Sequence, residues 1–213
     1  MFRGFSLLFI LSSLVQASTF DARGTLSQSA GAKVSLGWEE RFLEKDPLHF
    51  RVAPRLTLFP TFLHRFDYAG EVGYSLFTFL HLNTRLHHGI LLSDTASVSQ
   101  LMPSIKLDLT YFFIEVGWYF RILRLHKVAP FPYASDASEN DIATQFGFRA
   151  PIGDDTLSLI AGTIDSVDIY NLNNPYAEIL YSRGTHWSAY IRYKLLLGFG
   201  RMDEVTICLA IAI

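Results

Sequence analysis

Residues 186–195 read HWSAYIRYKL, which sets Trp187, Ala189, Ile191, Tyr193 and Leu195 against His186, Ser188, Tyr190, Arg192 and Lys194. A greasy side chain at every second position is the period of a strand with two unlike faces. The pattern recurs along the chain. Val34, Leu36 and Trp38 alternate with Lys33, Ser35, Gly37 and Glu39, and Phe66, Tyr68, Val72 and Tyr74 with Asp67, Glu71, Gly73 and Ser75. At the end Val205, Ile207, Leu209, Ile211 and Ile213 stand against Thr206, Cys208, Ala210 and Ala212.

Turn chemistry separates these runs at Lys45-Asp46-Pro47, residues 151–155 and 171–175, Ser182-Arg183-Gly184 and residues 198–203. Polar residues 93–104 and 130–141 read as loops. No helical period of useful length intervenes, so the class is all-β. Ten strands are predicted, over residues 30–42, 48–59, 66–79, 82–92, 105–122, 141–150, 156–169, 177–182, 186–197 and 205–213. Within 105–122 the apolar parity changes near Ile114, from Ile105, Leu107, Leu109, Tyr111 and Phe113 to Val116, Trp118 and Phe120. A β-bulge would cause this, as would a tight hairpin that splits the segment. Eight strands result if two short ones merge.

Composition narrows the setting. Half of the residues are hydrophobic and 15% aromatic, yet after residue 17 there is no charge-free apolar run of the ~18 residues that marks a membrane helix. Net charge is −2 with both signs scattered, which gives no basic patch for nucleic acid. One cysteine, Cys208, precludes an intrachain disulfide. Residues 1–17 form a different unit, with Arg3, an apolar core from Phe5 to Val15 and a Val-Gln-Ala exit. This reads as a signal peptide cleaved after Ala17, which leaves residues 18–213 as one barrel.

A soluble barrel turns its apolar face inward, and an outer-membrane barrel turns it outward around a polar lumen. Here the apolar face bears Trp38, Phe66, Tyr68, Tyr74, Phe146, Phe148, Trp187 and Tyr193, and the polar face mixes Arg and Lys with Asp and Glu. Aromatics near strand ends suit membrane girdles, so the apolar face is assigned to lipid. With its signal peptide and two-faced strands, the chain resembles small Gram-negative-type outer-membrane barrels of the OmpA, OmpX or OmpW kind. That resemblance implies a closed antiparallel transmembrane barrel in the cell outer membrane, with membrane lipid as its partner. Such chains usually end in Phe or Trp, where this one has Ile213.

The polar face then lines a lumen. It presents Lys33, Arg51, Arg55, Arg85, Lys106, Arg121, Arg149, Arg192 and Lys194 against Glu39, Glu71, Asp108, Glu115 and Glu178. A cationic excess would draw anions into the tube. Arg–Glu pairs could equally fill it as a plug. The expectation is non-enzymatic: a passive channel or binding site for small solutes, anionic or amphipathic among them, lined by Arg51, Arg55, Arg85, Arg121, Arg149, Arg192 and Lys194. No cofactor is expected. A structural or adhesive role would act through residues 130–141, where Tyr133, Asp136, Glu139 and Asn140 could meet an extracellular ligand.

One tripeptide admits an enzymatic alternative. His186-Trp187-Ser188 with Glu204 is similar to the His-x-Ser…Glu pattern of outer-membrane lipid A 3-O-deacylases. The resemblance implies His186 as base, Ser188 as nucleophile and Glu204 as the group orienting the imidazole. Ala189 stands where that family has Asn. His87 and His88 face opposite sides of a strand, and His81 lies six residues from His87, about 20 Å along it, so no metal site is predicted. Asp154-Asp155 reads as turn chemistry.

Overall fold

The strands close into a barrel of twelve, not ten or eight, each antiparallel to its neighbours in chain order. The computed structural model describes residues 15–27, 31–45, 47–58, 64–92, 96–125, 135–164, 174–197 and 201–213. Within these, the strands are β1 (Val15–Ser27), β2 (Gly31–Lys45), β3 (Leu48–Leu58), β4 (Arg65–Phe77), β5 (Leu80–Leu91) and β6 (Ala96–Asp108). They continue as β7 (Phe112–Leu125), β8 (Ser135–Ile152), β9 (Asp155–Gly162), β10 (Tyr176–Arg183), β11 (Trp187–Leu197) and β12 (Arg201–Ala212). β1 closes the ring on β12, from Thr19 opposite Ala212 to Ser27 opposite Glu204.

Two corrections account for the added strands. Phe20, Ala22, Gly24 and Leu26 alternate with Asp21, Arg23, Thr25 and Ser27, and this segment beside the predicted cleavage point is β1. The parity change near Ile114 marks a hairpin, with a turn at residues 109–111 between β6 and β7. Both predicted polar loops are partly strand. β6 starts at Ala96 because Gln100 and Ser104 are buried in a polar interior, where glutamine and serine do not signal a turn. β8 starts at Ser135 and runs ten residues beyond its last pair with β9, Gln145 with Gly162, so exposed Ala137, Glu139 and Asn140 project past the shorter wall. The predicted strand 156–169 ends at Gly162; its residues 165–169, and loop residue Tyr133, lie outside the described residues.

The two ends of the barrel differ. Connections at the end shared by the start of β1 and the end of β12 are two or three residues long, whereas those at the other end run from three to thirteen. Gly153 and Gly184, with φ of 66° and 52°, supply the left-handed backbone that two of the short turns need. Short turns at one end and longer loops at the other are the asymmetry of outer-membrane barrels.

The outer wall is apolar around the whole circumference, from Leu36 and Val72 through Leu86, Val116 and Phe146 to Ile191 and Ile207, each more than 40% exposed. Soluble monomers seldom expose a contiguous apolar patch beyond several hundred Å²; a continuous belt of this kind is suited to acyl chains. At the turn end, aromatic pairs form a girdle: Phe42 with Phe50, Phe77 with Phe79 and Tyr181 with Trp187, their centroids 5.7, 5.5 and 5.4 Å apart. Toward the loop end, Trp118 stacks on Phe120 and Tyr68 packs on outward-facing His88. Among the described residues no helix is long and apolar enough to cross a membrane.

Candidate functional site: a charged lumen

Alternation delivers the polar half of every strand to the interior, where burial forces charges to find partners. All seven predicted lining residues point inward. Arg192 donates to Glu178 at 2.6–2.8 Å while its neighbour Ile191 faces out. Arg51 and Arg85 both donate to Glu71, at 2.9 and 2.6 Å, and Arg85 also reaches Glu115 at 2.7 Å. Arg55 meets Asp21 at 2.8 Å, Arg149 meets Asp108 at 2.5 Å, and Arg121 pairs with Glu139 near the loop end. Lys194, 1% exposed, lies opposite Glu204 in the β11–β12 register.

The pairs assemble into three networks. One group, around the seam, comprises Arg23 and Arg55 on Asp21, Arg65 on Asp67, Lys33 on Glu204 and Arg192 on Glu178, with Arg23 and Arg192 lying 5.6 and 5.3 Å from the centre of the Tyr190 ring. A second links Glu39, Arg51, Glu71, Arg85 and Glu115, with Ser104 donating to Glu115 at 2.6 Å. The third holds Phe113 between Lys106 and Arg149, 5.0 and 4.8 Å from its ring centre, with both cations on Asp108. Glycine makes two of these arrangements fit. A Cβ on Gly37 would stand 2.5 Å from Asp21 Oδ2 and 2.9 Å from Arg55 Nη2, and one on Gly147 would stand 2.4 Å from the Phe113 ring.

Sequence reasoning missed several lining groups. Arg23, Arg65, Asp21, Asp67 and Glu204 all turn inward, adding two cations and three carboxylates to the tally, so the cationic excess narrows. Tyr119, fully buried, donates to Glu139 at 2.9 Å. It shares the parity of Glu115 and Gly117, a signal that was available. Tyr119 also packs with Met102, Ala143 and Ile164 as an apolar patch on the inner wall.

Free space is unevenly distributed. A cavity of about 290 Å³ opens near the turn end, lined by His49, Glu71, Ser75, His81, Asn83, Arg85, Lys106 and Asp108. His49 Nε2 lies 3.6 Å from Glu71, and His81 Nδ1 lies 2.9 Å from Ser75 Oγ. Beside β1 and β12 a smaller space of about 20 Å³ is lined by Arg23, Lys33, Arg65, Tyr190, Arg192 and Glu204. Barrel diameter grows with strand number; near the loop end a further space of about 240 Å³ is lined by Val98, Arg121, Leu123, Ala137, Ser138 and Glu139.

The enzymatic alternative is not assembled. His186 sits exposed in the turn before β11, and Ser188 faces inward opposite Ala210. Glu204 is opposite Lys194 and bonded to Lys33 at 2.8 Å, six residues or about 20 Å along the wall from Ser188. No metal-binding group of three His, Cys, Asp or Glu occurs among the described residues.

No family model matches the sequence, and no curated protein matches it. The fold is similar to solved outer-membrane proteins at low identity. The NanC porin aligns with a TM-score of 0.61 and 8% identity, over 90% of this chain and 98% of that one. The KdgM porin in complex with disordered oligogalacturonate gives 0.56 and 8%, over 91% and 98%. Outer membrane phospholipase A from Escherichia coli gives 0.51 and 10%, over 95% and 96%. What these proteins share with this chain is the barrel fold.

Proposed function

We propose that this chain is an exported outer-membrane barrel offering small solutes, anionic or amphipathic among them, a passive route or binding site through its lumen. The observation behind this reading is the turn-end vestibule of about 290 Å³, where Arg85 and Lys106 meet open space. Porins of similar fold support it, one of them holding oligogalacturonate. The short-turn end would face the periplasm and the longer loops the exterior, with lipid against the apolar belt. Because ion-paired side chains crowd the lumen, the expected conductance is small. Purified, refolded protein in a planar bilayer should give discrete low-conductance steps; silence, together with absent solute uptake into proteoliposomes, would leave the lumen a structural plug.

Residues 1–17 act as the export signal. Removing them leaves every pair between β1 and β12 intact, since these begin at Thr19, although β1 itself starts at Val15. The mature protein should therefore begin at Ser18, and an intact mass retaining residues 1–17 would overturn the assignment. A second reading, adhesion through residues 130–141, is favoured only by the exposure of Ala137, Ser138, Glu139, Asn140 and Asp141 where β8 outruns β9. It requires ligand binding that vanishes when this segment is replaced.

A further inference from the structure

Three rows of inward side chains form the wall of the turn-end cavity. Strand register sets Glu71 opposite Arg85, then His49 and Asn83 on either side of Gly73, then Ser75 opposite His81 with Lys106 on the next strand. Successive inward positions lie about 7 Å apart along a strand. The middle row fits because position 73 has no side chain. A Cβ there would stand 1.9 Å from the His49 ring and 2.6 Å from Asn83 Oδ1. Asn83 borders the cavity and is 5% exposed, and its Oδ1 has no hydrogen-bond partner among the described residues.

Charge does not choose the occupant here. Both cations at the cavity are held by carboxylates that also border it, Arg85 by Glu71 at 2.6 Å and Lys106 by Asp108 at 2.5 Å. An anionic group would have to compete with those carboxylates, and an ionised carboxylate brings no hydrogen to Asn83 Oδ1. The unmet group is a neutral acceptor, and leaving it unmet is costly. A hydroxyl donates to it and still accepts from a neighbouring ammonium or hydroxyl. Separate waters could do the same one atom at a time, each at its own ordering cost. A polyol carries several hydroxyls on one frame, so its hydrogen bonds share that cost. The cavity, at about 290 Å³, is close to the ~300 Å³ at which small-ligand pockets begin.

We infer that the turn-end cavity binds an uncharged polyhydroxylated solute, one hydroxyl donating to Asn83 Oδ1 and others meeting the Ser75–His81 and Glu71–Arg85 rows. This deepens the proposed function, on which it rests, by naming the class of solute held there.

Saturation-transfer NMR on the refolded protein in detergent reads binding without requiring conduction. D-glucose should receive saturable transfer, and D-glucuronate, the same ring with a carboxylate, should bind no more tightly. Absence of transfer to glucose would leave water as the occupant and overturn the inference, as would a clear preference for glucuronate. Asn83→Leu removes the unmet acceptor at similar volume and should leave the barrel folded. It should raise the glucose half-saturation roughly threefold to tenfold, the worth of one neutral hydrogen bond. Gly73→Ala pushes the His49 ring and Asn83 from their places and should weaken glucose binding too. Heat-modifiable gel migration reports folding, and an unchanged half-saturation in the folded variants refutes the site. The two readings fail separately: a barrel that conducts but gives glucose no transfer loses this inference alone, and a silent barrel that binds glucose loses only the route.

Discussion

Glu71→Gln is expected to weaken the barrel by about 3–5 kcal/mol, because removing one partner of a buried ion pair strands the other. Glu71 is the hub of the second network, accepting from Arg51 at 2.9 Å and Arg85 at 2.6 Å with His49 alongside. The amide keeps the shape and loses the charge, which leaves Arg51 to Glu39 at 3.4 Å and Arg85 to Glu115. Arg51 retains some solvent at 29% side-chain exposure, so the lower end of that range is expected. Urea unfolding in lipid vesicles, followed by tryptophan fluorescence, measures the loss. Glu139→Gln is the control: its side chain is 47% exposed, and pairs that open to water contribute about 1 kcal/mol or less. Equal small losses in both variants would mean that the interior is well hydrated and its pairs screened. The Glu71 variant would also make the vestibule more positive and turn any conductance further toward anions.

Arginine at Ile207 is the second large effect. Ile207 lies midway along β12, 60% exposed on the outer wall and paired with Ile191. An arginine near the bilayer midplane of such a barrel costs about 2–4 kcal/mol, falling to about 0–1 kcal/mol at the interface. Leu26, beside the loop end of β1, is equally outward at 67% exposure. Ile207→Arg should therefore unfold at clearly lower urea than Leu26→Arg in the same vesicles. A barrel resting in water would show no such dependence on depth, and identical midpoints would refute the lipid assignment of this face.

Parity made the two faces readable before any coordinates. Alternation puts Ile191 and Arg192 on opposite faces, and the aromatic chemistry of the apolar face then turned Ile191 outward and put Arg192, Arg51, Arg55 and Arg85 in the lumen. Strand number was less legible. In a barrel with a wet interior, the inward half of a strand has the composition of a loop, so Gln100 and Ser104 disguised the first half of β6. β1 was hidden for another reason: its charges, Asp21 and Arg23, follow directly on an apolar leader that invites a boundary. The pairings were out of reach. Arg55 finds Asp21 from 34 residues away and Lys33 finds Glu204 from 171, and only register around a closed ring decides such contacts. A charge balance taken from parity could not include partners on a strand that had not been recognised.

The seam between β1 and β12 has a kinetic consequence. Its pairs join positions as distant as Thr25 and Thr206, 181 residues apart, and the entropy of closing so long a loop is repaid only when both edges meet. Every other strand pair can zip locally as hairpins, so the ring must complete last. Until then two bare strand edges, with unpaired amides and carbonyls, would be templates for pairing with foreign chains. Delivery of this polypeptide therefore needs an escort that shields its two ends until they clasp.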